Sequence, residues 1–101
     1  MFQPTVLLTG ISGFIGRNIF EAFRGRYRVF APTLGELDFL SIEAVDAFFK
    51  THTIDIIIHC AFIGGNRKTP YIPDAVEKNL RMFTNLVRYA KSVRKVIHIG
   101  S

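Results

Sequence analysis

One cysteine, Cys60, stands in a chain of 101 residues. A single thiol excludes an internal disulfide and fits a reducing compartment, so the cytoplasm is the expected location. No apolar run approaches the roughly 18 residues that a membrane span requires. The opening Met1-Phe2-Gln3-Pro4 has neither the basic start nor the long apolar stretch of a secretory signal. Repeats and low-complexity linkers are absent. His59 and Cys60 have no ligand partners at workable spacing, and His52 and His98 have no constellation around them. Core packing is therefore expected for His59 and Cys60, and no metal site is expected.

Acid is in short supply too, leaving a formal charge of +5. The basic residues gather at Arg24, Arg26 and Arg28, at Arg67-Lys68, and at Arg88, Lys91, Arg94 and Lys95. The first and last groups fall at the ends of predicted helices, where the dipole favours cations. No basic stripe is interleaved with exposed aromatics and no nucleic-acid motif is present, so nucleic acid is not an expected partner. The charge suits an anionic, phosphate-bearing ligand.

What is present is apolar: 49% hydrophobic residues, with ten phenylalanines, enough to bury the core of one small domain. Strand and helix patterns alternate from end to end. Residues 5–9 read as a strand buried on both faces, and Gly13 to about Phe23 as a helix, with Gly25 placed for a left-handed cap. Residues 27–31 read as a second strand, stopped by Pro32, and residues 36–39 as a third, very short one. A helix follows, with Ser41 as N-cap and Ile42, Val45, Phe48 and Phe49 on one face. Residues 54–61 form the clearest strand, rich in β-branched isoleucine. After a loop over 62–73 with Gly64-Gly65, Asp74 begins the longest helix, with Glu77 completing a capping-box-like pair. Its apolar stripe is Val76, Leu80, Phe83 and Val87, with Leu86 and Ala90 beside it. A fifth strand covers 95–100. This alternation predicts an α/β fold, a three-layer Rossmann-type parallel sheet with strand order 3-2-1-4-5.

Between the first strand and the first helix lies Thr9-Gly10-Ile11-Ser12-Gly13-Phe14-Ile15-Gly16. A strand that turns on close glycines into a helix leaves backbone N–H groups pointing at one spot with the helix dipole behind them, a site for a pyrophosphate. Gly10 would allow the turn, Gly13 a close approach to phosphate, and Gly16 the packing of helix on sheet.

The Gly-x-x-Gly-x-x-Gly spacing, with Thr9 before it and Phe14-Ile15 inside it, resembles the extended short-chain dehydrogenase/reductase family, the NAD-dependent epimerases, dehydratases and reductases of nucleotide sugars. Other segments are similar as well. Glu36-Leu37-Asp38-Phe39 resembles the family's short strand whose Asp and following amide hold the adenine edge. His59-Cys60-Ala61-Phe62 occupies the place of the segment whose backbone lines the cofactor ribose. Asn79 matches an asparagine of the long helix, and Thr84-Asn85-Leu86 resembles the Thr-x-Asn-Leu that follows it, shifted or shortened by one residue. Residues 97–101 resemble the strand running into the catalytic serine, here Ser101. The Gly64-Gly65 loop and the Glu-Leu-Asp segment resemble the GDP-fucose synthase and dTDP-rhamnose reductase branches.

The resemblance implies a nicotinamide dinucleotide held by Gly10, Ser12, Gly13, Phe14, Ile15, Gly16, Thr33, Asp38, Phe39, Ala61, Phe62 and Asn79, with a nucleotide sugar as the substrate of the parent enzyme. The choice between NADP and NAD rests on the end of the second strand. Ala31-Pro32-Thr33 stands where an acid would bind a ribose 2′-hydroxyl, and Arg26 and Arg28 lie nearby, so the reading leans to NADP. The family's Tyr-x-x-x-Lys pair, which carries its acid–base chemistry, occurs nowhere in the 101 residues. The chain is therefore expected to be the N-terminal dinucleotide-binding part of a longer enzyme, truncated after the fifth strand and inactive alone. A non-catalytic dinucleotide-binding or regulatory module is the alternative, and a homodimer remains open.

Overall fold

The computed structural model describes residues 3–61 and 73–99. Four described strands, β1 (Thr5–Thr9), β2 (Arg28–Phe30), β3 (Ile56–His59) and β4 (Lys95–His98), form one parallel sheet in the order β2-β1-β3-β4. Leu7 sits between Phe30 and Ile57, and Ile57 lies beside Val96, so one row of side chains crosses all four strands. Between the strands run the helices α1 (Phe14–Phe23), α2 (Ile42–Thr51) and α3 (Pro73–Val87).

Side-chain alternation along the strands divides the core in two. Val6, Leu8 and Ile58 face α1, whose Ile19, Phe20 and Phe23 pack over them. Leu7 and Ile57 face the opposite way, onto Val45 of α2 and Met82 and Leu86 of α3. Helices thus cover both faces, as the three-layer expectation requires. Ser41 caps α2 as expected, its Oγ accepting from the Ala44 amide at 3.1 Å.

Three local expectations are corrected. Residues 36–39 form no strand, so among the described residues the order lacks its outer member. Turn chemistry wins there: the Thr33 amide donates to the Glu36 carboxylate at 2.8 Å, the Glu36 amide returns to the Thr33 hydroxyl at 3.3 Å, and Asp38 accepts from the Leu40 amide at 2.9 Å. Leu37 and Phe39 still bury themselves in the core as strand residues would. Gly25 provides no left-handed cap, because Gly10 is the described glycine with positive φ. Instead the amides of Arg26 and Tyr27 both close on the Phe23 carbonyl at 2.9 Å.

The third correction concerns α3. Pro73 is already helical, so Asp74 lies in the first turn and pairs with Lys78, while Glu77 pairs with Arg81. The buried face is Ala75, Met82, Asn85 and Leu86, whereas Val76 and Leu80 are 51% and 64% exposed. Ile42 at the start of α2 is likewise exposed. That face also carries a buried polar residue with a partner: Asn85 Nδ2 donates to the Phe39 carbonyl at 2.8 Å inside the core. Residues 62–72, with Phe62 and most of the expected loop over 62–73, and residues 100–101, with Ser101, lie outside the described residues.

Candidate dinucleotide site

At the C-terminal end of β1 the chain reverses on Gly10, whose φ is +84°. A side chain is excluded there twice over, since a Cβ would stand 2.7 Å from the Ala61 nitrogen and the Cys60 carbonyl carbon. The Gly10 carbonyl then accepts from the Gly13 amide at 3.0 Å. Gly16, buried in the first turn of α1, presses on the same carbonyl: a Cβ would lie 2.0 Å from its oxygen. The third glycine therefore serves the loop's own closure rather than helix-on-sheet packing.

Gly13 differs from both. Its φ of −86° and ψ of 166° suit any residue, and a Cβ would meet nothing closer than the Gly10 oxygen at 3.5 Å. The protein itself does not need glycine here. Gly13 is the N-cap of α1 and brings no side chain to the first-turn amides, and that turn holds no acid. Positive partial charge from the N–H groups and the helix dipole thus faces outward without a partner from the cap or an acidic side chain.

This terminus opens onto a cavity of about 480 Å³. Of the residues read from sequence, Gly10, Ser12, Gly13, Phe14, Ile15, Gly16, Thr33 and Ala61 line it together. Ile11, Pro32, Leu34, Cys60 and Ile99 complete the walls. Phe14 and Ile15 stand 81% and 48% exposed at its edge, an apolar surface in want of cover. Asp38, Phe39 and Asn79 do not line it: Asp38 is exposed, Phe39 is fully buried in the core, and Asn79 is half-buried on α3. Arg28 is not at the cavity either. It lines a hollow at the opposite end of the sheet with Thr5, His52 and Asp55, which removes it as a partner for a ribose phosphate. No charged side chain lines the cavity among the described residues.

Beneath the cavity, β1 and β3 are tied by side-chain chemistry. The buried Thr9 hydroxyl accepts from the amides of Cys60 and Ala61, each at 3.0 Å, and lies 2.7 Å from His59 Nδ1. Burial, and then the neighbouring His98, push the His59 pKa down from 6.5 to about 4. Burial also raises the Cys60 thiol above its ordinary value. The sequence reading placed His59 correctly in the core but missed its bond to Thr9, because residues 50 positions apart carry no local signal of contact. Among the described residues no group of His, Cys, Asp or Glu could hold a metal, and no helix is long and apolar enough to cross a membrane.

Residues 6–101 match the model of the NAD dependent epimerase/dehydratase family. The chain is 33% identical over 101 residues to a GDP-L-colitose synthase of Yersinia pseudotuberculosis, an alignment covering 95% of this chain and 33% of that protein. It is 34% identical over 61 residues to a GDP-L-fucose synthase of Azorhizobium caulinodans, covering 59% and 20% respectively. It thus spans a third or less of the length of these curated relatives. In shape it superposes on a GDP-mannoheptose C4 reductase of Campylobacter jejuni, solved with NADP bound, with a TM-score of 0.78 at 22% identity over 97% of this chain and 33% of that one.

Proposed function

Because this chain belongs to the NAD dependent epimerase/dehydratase family, we propose that residues 1–101 form the dinucleotide-binding portion of an enzyme that reduces or epimerises a nucleotide sugar. The single observation that carries the reading is Gly13, a glycine that the backbone does not require at a helix terminus that no side chain caps. The pyrophosphate of NADP or NAD fits there, accepting from the first-turn amides of α1. Gly10 and Gly16 hold the loop in shape, and Phe14 and Ile15 offer apolar cover. Pro32, Thr33 and Leu34 lie where the second strand hands over to the next element, on the adenosine side of a dinucleotide so placed. The bound nicotinamide supplies or receives the hydride.

A GDP-linked sugar is the substrate class that the two curated relatives support, since both are GDP-sugar synthases by name. The chemistry on the sugar belongs to the parent enzyme, with Ser101 as the one residue of this chain proposed for it. With neither acid nor base on the described cavity walls, NADP and NAD should bind within roughly tenfold of each other.

Calorimetric titration of the chain with NADP and NAD tests the site. Saturable binding is expected, and Gly13→Val should remove it while the chain stays folded. Unchanged affinity in that variant would make the loop a purely structural turn.

A further inference from the structure

The floor of the cavity depends on one hydroxyl. A threonine hydroxyl has two acceptor positions and one proton to donate. At Thr9 both acceptor positions are taken, by the amides of Cys60 and Ala61 at 3.0 Å. The proton must therefore go to the remaining neighbour, His59 Nδ1 at 2.7 Å. A ring nitrogen that accepts this proton carries none of its own, so His59 is neutral with its hydrogen on Nε2. A protonated Nδ1 would aim a third donor at an oxygen with no lone pair left.

These bonds act on the cavity through the backbone. Cys60 and Ala61 leave β3 at the point where Gly10 leaves β1, and the two segments approach so closely that no Cβ fits between them. Ala61 and Cys60 are wall residues of the cavity. Rotating the Thr9 hydroxyl would release the Ala61 amide and leave the Cys60 amide with only the Thr9 carbonyl at 3.2 Å, loosening this wall from the glycine loop.

We infer that His59 is a positioning residue of the dinucleotide site: by accepting the Thr9 proton it orients both lone pairs of that hydroxyl onto the Cys60–Ala61 backbone and so fixes the cavity wall against Gly10. The inference rests on the dinucleotide reading above. His59 itself touches no ligand. It stacks instead on His98, with ring centroids 5.4 Å apart, and Phe83 of α3 adjoins both rings.

Two measurements on the whole chain test this. In two-bond proton–nitrogen correlation spectra near neutral pH, His59 should show an unprotonated Nδ1 and a protonated Nε2. The reverse tautomer would overturn the inference without touching the dinucleotide reading. In titrations with NADP, Thr9→Val and His59→Leu should bind roughly tenfold more weakly, the effect of leaving buried partners unpaired. Thr9→Ser and His59→Asn, which keep the hydroxyl and an acceptor, should bind nearly as the natural chain does. A folded His59→Leu with undiminished affinity, whatever its melting temperature, would reduce His59 to a packing residue. So would a His59→Asn as weak as His59→Leu; if His59→Leu does not fold, the tautomer and the near-natural affinity of His59→Asn decide. Absence of binding by the natural chain would overturn the dinucleotide reading itself, and the inference with it.

Discussion

Two ten-residue helices of this chain begin in opposite ways. At α2, Ser41 caps the Ala44 amide and Glu43 adds an acid to the first turn, so the terminus is satisfied from within. At α1, Gly13 caps nothing and no acid follows. Both helices are amphipathic and both are anchored on the sheet, so stability alone does not call for the difference. A helix capped by glycine instead of serine forgoes a few tenths of a kcal/mol. The contrast teaches where to look for a ligand: α2 has completed its own electrostatics, and α1 has not.

The comparison can be broken most severely at Gly16. Gly16→Val sets a side chain against the Gly10 oxygen, where even a Cβ would stand at 2.0 Å. It should cost about 3 kcal/mol or more in urea unfolding and abolish dinucleotide binding with it. No residue of α2's first turn should be so sensitive.

Acid should affect the floor under α1 by a comparable amount. The folded-state pKa of His59, about 4, lies below its ordinary 6.5. As pH falls through 6.5 the unfolded chain takes up a proton that the folded chain refuses, so stability declines between 6.5 and about 4 and levels off below. The total is about 3 kcal/mol. It is read as the difference between the natural chain and His59→Asn in unfolding experiments across that window, and parallel profiles would refute it.

Gly13→Asp sharpens the contrast by giving α1 the self-sufficiency of α2. The variant should gain a few tenths of a kcal/mol in stability as an N-cap, yet bind NADP roughly a hundredfold more weakly, because a carboxylate takes the amides and repels the phosphates. Stability and affinity should move in opposite directions. The mirror experiment, Ser41→Ala, should lower stability by about 1 kcal/mol and leave affinity unchanged. A loss of affinity there would mean that the two termini are not independent.

The glycine loop, the Ser41 cap and the four described strands could be read from the sequence because each rests on local chemistry within a few residues. Elsewhere, local chemistry misled. Residues 36–39 carry the alternation of a short strand, Leu37 and Phe39 inward, and the structure buries those two while folding the backbone as turns. The competing signal was present in Thr33-x-x-Glu36, whose reciprocal bonds close the turn. On α3 two helical stripes are available. Of the stripe Val76, Leu80, Phe83 and Val87, all but Phe83 are left exposed, while the other face buries Met82 and Leu86 together with Asn85, which satisfies a carbonyl 46 residues away. Bonds of that kind, like Thr9 to His59, belong to tertiary geometry and leave no periodic trace. In the site, the residues contiguous with the glycines were legible. Ile99, which joins the wall from β4's end, was not.

The Gly10 carbonyl has a consequence of its own. Its oxygen receives the Gly13 hydrogen and is pressed from behind by Gly16, so it is held inside the turn. A free carbonyl at this point would direct a lone pair at any phosphate that approached. Folding that oxygen inward spends it on the Gly13 hydrogen within the turn and keeps it from facing the cavity as a free acceptor. Two of the three glycines thus serve as much to hide a negative group as to make room for one.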